Sequence, residues 1–251
     1  MDPITVSVAT AALTSLATKG ADAPAKTLNL LWQATFGRWD EKLKQTVEAN
    51  IRRYAKDIDD EVSKIPNDSI NNNPDISVIG PALEASKYYV EKTDVRKMFA
   101  KLIAAEFDAR SSDKVHIAFV EIIKQMSAND AKLLKILPKV GPLAEFRLYA
   151  NDRKSYTSLG KDIIYIPGLI ETNFENNAIS INNLSRLGIV ELSHISSLVD
   201  ETIYKAYEAF DEYKQGTKIA QEHPDNYSSM EVSSGLFSIT PFGDVFKKIC
   251  L

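Results

Sequence analysis

Cysteine is almost missing from this chain. Cys250 stands alone among 251 residues, so no internal disulfide framework exists, and the usage fits a reducing, cytoplasmic setting. Histidine is nearly as scarce. His116, His194 and His223 are far apart, none in H-E-x-x-H and none near a cysteine pair, so a zinc or metallohydrolase site is not expected. No G-x-x-x-x-G-K-[ST] cradle, no G-x-G-x-x-G after a strand and no G-x-S-x-G elbow occurs, which removes local support for nucleotide binding and serine hydrolysis. Excess positive charge is absent too: the net charge is −4 and the pI about 5.5, giving no global attraction to nucleic acid or anionic lipid. The uncharged run Pro3 to Thr18 falls short of the roughly 20 apolar residues that span a bilayer. Asp2 precedes it and no basic n-region does, so it reads as a packed or oligomerising helix, without the basic face of a membrane-surface anchor. These absences predict a cytoplasmic, non-enzymatic protein with no cofactor and no transmembrane span.

What is present is helix grammar. Hydrophobic residues at 44% and charged residues at 25% suit a soluble chain with a sizeable core. From about Ala25 to Ile65 a long helix is predicted. Its stripe Leu43, Val47, Ile51, Tyr54, Ile58, Val62, Ile65 follows an eleven-residue repeat, close to a straight helix packed along another. Such a narrow stripe also suits self-association. Trp32, Phe36 and Trp39 share one face, for packing or as a partner-binding surface. The cluster Asp57 to Glu61 reads as a solvated face, and Glu106, Asp108 and Arg110 as helix-surface charges.

Pro66 and the polar run Asn67 to Pro74 end this first region, residues 1–70. A compact antiparallel helical unit is predicted over 77–150. Its helices open at Pro81, near Thr93 (core face Val95, Met98, Phe99, Leu102, Ile103), after Ser111–Asp113 (Phe119, Ile122, Ile123, Met126), and at the capping box Ser127/Asp130. Pro138, Gly141 and Pro142 read as its stop.

Residues 156–251 change register. Ile163 to Ile166 reads as a strand. A helix carrying Ala178, Ile181, Leu184 and Leu187 is followed by strands at Ile189–Leu192 and Leu236–Ile239, then a last helix capped by Thr240-Pro241. The predicted fold class is therefore mainly α: a long N-terminal helix packed on a compact antiparallel helical unit, then a winged-helix-like α+β C-terminal module. That module has a small two- or three-stranded sheet and a helical insertion at about 200–226. As a DNA reader it would offer Asn182, Asn183 and Arg186 as contacts. From Lys161 to Leu251, however, seven Lys and Arg face thirteen Asp and Glu, which disfavours nucleic acid as a partner and favours protein.

The segments IGPALEASKYYVEKTDVRKMFAKLIAAEFD and KVHIAFVEIIKQMSANDAKLL, within Ile79 to Leu134, closely resemble the Abi-alpha (abortive infection alpha) family of bacterial and prophage proteins. Ile117 stands where the family commonly has proline, and Ser86 where it has an apolar residue. The resemblance extends to LSRLGIVEL and LFSITPFGDVFKKIC. It implies a role in phage defence and brings no catalytic site with it; His116, Glu121 and Lys124 stand at motif positions without an assigned role. The expected function is a phage-defence protein acting through protein contacts. The alternatives are a winged-helix DNA-binding regulator and a membrane-acting effector.

Overall fold

The computed structural model describes residues 15–37, 41–166 and 174–251, with side chains from residue 48 onward in the second segment. The readings of Trp39, Leu43, Val47 and most of the Pro3–Thr18 run lie outside the described residues. The chain divides into two compact units, Met1–Ala131 with Val245–Leu251 and Lys132–Asp244.

In the first unit the described structure is helical. Helix α1 (Asp22–Phe36) and helix α2 (Glu41–Ser63) cover most of the stretch from Ala25 to Ile65 where a long helix is expected. The predicted stripe of α2 is buried where it is described: Ile51, Tyr54, Ile58, Val62 and, just beyond the helix, Ile65. Helix α3 (Ile76–Ser86) starts five residues before Pro81, because Asp75 caps it by accepting the Ser77 N–H at 2.8 Å. Pro81 then sits inside the helix, lacking the N–H that would close one i→i−4 bond. Helix α4 (Thr93–Glu106) is the centre of the unit, packed against α2, α3 and α5 (Ala118–Gln125). Val95, Met98, Phe99, Leu102 and Ile103 are each at most 1% exposed, so its predicted core face is its actual one.

Two sets of charges read as surface features are built into this unit. Arg96, 5% exposed, donates from Nε to Asp57 on α2 at 2.7 Å and from Nη1 to the Val90 carbonyl at 3.0 Å. Glu106, 2% exposed, accepts the N–H of the α3 cap residue Asp75 at 3.1 Å. Its main-chain oxygen accepts Asn71 Nδ2 at 2.9 Å, tying the Asn67–Pro74 loop to the end of α4. Asp108 receives the Arg110 guanidinium through Nε at 2.8 Å and Nη2 at 2.6 Å, which holds its carboxyl below the usual range against the opposing effect of burial.

Burial raises the carboxyl pKa of Glu106, the Asp75 N–H offsets this in part, and the Asp75 charge adds to it. The folded protein thus holds this proton more tightly than the unfolded chain. Glu106 lowers stability as pH rises from the ordinary carboxylate range through its raised folded value. Glu106→Gln is expected to raise the urea midpoint at neutral pH, with the gain shrinking as pH falls below the carboxylate range. A gain that is flat with pH would refute this assignment.

Helix α6 (Ala128–Ile136) begins at the capping box read from the sequence. Asp130 accepts the Ser127 N–H at 2.6 Å, and Ser127 Oγ accepts the Asp130 N–H at 3.1 Å.

The second unit overturns the predicted fold class. It is built on one four-stranded antiparallel sheet of order β2-β1-β4-β3. Strands β1 (Val140–Ala150) and β4 (Tyr227–Ile239) are central and long, while β2 (Tyr156–Ile164) and β3 (Val190–Ser193) form the edges. Val190–Ser193 does pair with Leu236–Ile239. That pairing is the outer edge of the end of β4, whose other edge pairs with β1 from Tyr227 to Ser238, so no separate wing exists. Strand β1 escaped the sequence reading because Gly141 and Pro142 look like breakers. In the sheet a Cβ at Gly141 would stand 2.4 Å from the Phe237 ring, so glycine makes room for it. Pro142 lies one residue beyond the end of the β2 register at Leu143↔Ile164, where a missing N–H costs no bond to that strand.

The supposed insertion at 200–226 supplies much of this unit's core. A 3₁₀ segment (Glu201–Ala209) sends in Tyr204 and Tyr207, which pack with Ala144, Phe146, Leu148, Ile163 and Met230. The Tyr207 hydroxyl lies within donor distance of the Pro142 and Ile163 carbonyls, at 3.0 and 3.2 Å, which settles a buried polar group between β1 and β2. Helix α7 (Phe174–Arg186) packs on β2 and β3, and helix α8 (Asp211–Glu222) covers β4. Thr240 caps helix α9 (Pro241–Cys250) as expected, Oγ1 accepting the Gly243 N–H at 2.9 Å.

Candidate functional site

The most unusual backbone position in the second unit is Asp162. It sits in β2 opposite a break in the β1 register between Ala144 and Phe146, with φ at +56°. This is a β-bulge with a non-glycine residue in the left-handed region, a costly arrangement that re-aims a side chain. The carboxylate is turned inward, and Asp162 is 8% exposed. Its Oδ2 accepts Asn182 Nδ2 from α7 at 2.9 Å. Its Oδ1 is buried without a hydrogen-bond partner, and His194 Nε2, just past the end of β3, stands 3.3 Å away outside hydrogen-bonding geometry. The His194 side chain is 39% exposed. An edge strand, a helix and the far edge strand's end thus converge on one buried carboxylate. Separations of 20 and 32 residues hid this cluster from the sequence, although an aspartate between Lys161 and Ile163 in a β-branched run was a usable signal.

The three residues proposed for nucleic acid are engaged within this unit. Asn182 donates to Asp162 and to the Ala178 carbonyl at 2.8 Å, and Asn183 Oδ1 accepts Arg186 Nε and Nη2 at 3.1 and 2.8 Å. Their helix packs on the sheet, and the winged-helix frame that would have aimed them at a groove is not the fold. Trp32 and Phe36, proposed as a partner surface, are each 1% exposed; their rings lie 4.5 Å apart and pack on Tyr54 in the helical unit's core. Trp39 lies outside the described residues. The family-motif residues have local roles: His116 Nδ1 accepts the Ala118 N–H at 3.1 Å, and Lys124 pairs with Glu121 at 2.9 Å. Cys250 is buried, and burial pushes its thiol far above the ordinary range, which suits packing and not attack.

The helical unit also has a cleft of about 290 Å³ where the C-terminal ends of α2, α4 and α9 meet, lined by Glu61, Lys64, Lys101, Asp108, Arg110 and Lys248. Cations at helix C-termini offset the negative ends of the helix dipoles, and Lys64, Lys101 and Arg110 are already bonded to Glu61, the Leu251 main-chain oxygen and Asp108. That accounts for the basic lining. Among the described residues, no helix is long and apolar enough to cross a membrane.

The fold is thus a helical unit and an α+β unit with an antiparallel sheet, without a winged helix. The family model for abortive infection alpha matches residues 46–250, and the chain belongs to the Abi-alpha family. No curated protein and no solved structure matches it at a significant level.

Proposed function

We propose that this protein acts in phage defence by abortive infection, through contacts with other proteins and without turnover of a substrate. The family match over residues 46–250 carries the defence reading. The contact reading is supported by the segment that follows β3, where Ile195 and Val199 are fully exposed at 99% and 103%. Leaving such side chains in water forgoes about 1.5–3 kcal/mol each relative to burying them. Two in one short segment suit a surface that a partner covers.

Cells carrying the gene are expected to show lowered plating efficiency, or early death on infection, for at least some phages. Unchanged plating and survival across a broad panel would contradict the defence reading. Hydrolase or nuclease turnover by the purified chain, abolished by a point substitution, would contradict the contact reading.

A further inference from the structure

We infer that Asp162 and His194 bind a divalent transition-metal ion, with Asn182 orienting the carboxylate. The inference is independent of the defence reading. It starts from the orphaned oxygen: Oδ1 of Asp162 is fully buried, accepts no hydrogen bond, and faces the imidazole nitrogen. A buried carboxylate oxygen that accepts no hydrogen bond is costly, and here it is held at a strained left-handed position that glycine would occupy freely. The spacing suits a shared ion. Two ligands at about 2.0–2.2 Å from a tetrahedral metal stand roughly 3.3–3.5 Å apart, and the observed Nε2 to Oδ1 separation is 3.3 Å.

The surroundings agree with that role. Asn182 fixes the other carboxylate oxygen at 2.9 Å, as outer partners of metal-binding carboxylates do. The His194 side chain is 39% exposed, which sets the pair next to solvent. Among the described residues no group of three or more His, Cys, Asp or Glu is placed to hold a metal. The remaining positions therefore fall to water or to a partner's side chain, and the site is open and exchangeable. An imidazole–carboxylate pair favours Zn²⁺, Ni²⁺ or Co²⁺ over Mg²⁺ or Ca²⁺.

The test uses the full chain without a histidine tag. Calorimetric titration with ZnCl₂ and, separately, MgCl₂ measures binding, and Co²⁺-induced broadening of amide NMR signals locates it. The expected result is one saturable Zn²⁺ site, no Mg²⁺ site, and broadening centred on residues 162, 182 and 194. His194→Ala, at an accessible position, is expected to weaken binding at least about tenfold. Asp162→Gly removes the carboxylate at a backbone angle glycine prefers, so loss of binding in a folded variant is readable. An ordinary ion pair between the two residues predicts no saturable Zn²⁺ uptake, and that result would overturn the inference. So would broadening centred on His116 or His223, or binding unchanged in both variants.

Discussion

Arg96→Ala is expected to destabilise the helical unit by about 3–5 kcal/mol, the cost of leaving one partner of a buried ion pair uncompensated. The guanidinium joins α4 to Asp57 on α2 and to the Val90 carbonyl before α4 begins, so three segments lose a shared anchor. The Asp57 side chain keeps 18% exposure, so water solvates part of the abandoned charge and the lower half of that range is expected. Urea unfolding of the single variants and of Arg96→Ala/Asp57→Ala gives the coupling directly. The double variant should be less unstable than the sum of the singles, because it no longer buries a lone carboxylate. Strict additivity would mean that the pair contributes nothing beyond its parts.

Phe146→Ala should cost a similar amount, about 3–5 kcal/mol, in the sheet unit. Phe146 is fully buried, and its ring meets Tyr207, Phe210 and Tyr213 edge-on at 6.3, 6.0 and 5.8 Å. All three come from the 200–226 stretch, so deleting the ring removes a main aromatic contact that seats that stretch on β1. Hydrogen exchange offers the sharper readout. Protection should fall most in Glu201–Glu222, with the centre of the β1–β4 ladder affected less. Equal loss throughout the unit would show that the stretch and the sheet open as one body.

These two variants also show where the sequence was legible. Local periodicity exposed α4, because Val95 to Ile103 repeats on one face, and short-range caps exposed Ser127/Asp130 and Thr240. Arg96–Asp57 was hidden: an arginine in a first turn and an aspartate in an acidic run, 39 positions apart, each look solvated until the fold brings them together. The sheet was hidden for a related reason. Strand β1 is buried along most of its length, not on alternate residues, so it lacks the two-residue rhythm, and Gly141-Pro142 masked it further. With β1 unread, β4 shrank to Leu236–Ile239, and a four-stranded sheet passed for a wing. The Asp162 cluster depended on that sheet and was lost with it. Family membership survived because its motif lies in the helices that periodicity reads well.

The most direct measurement is plating efficiency on cells expressing the full chain or the variant Ile195→Asp/Val199→Asp. Both positions are fully exposed, so the variant should fold and accumulate like the native protein. The native chain is expected to lower plating for some phages, and the variant is expected to lose this protection. Protection retained in full by the variant would contradict a defence mechanism that works through this exposed segment.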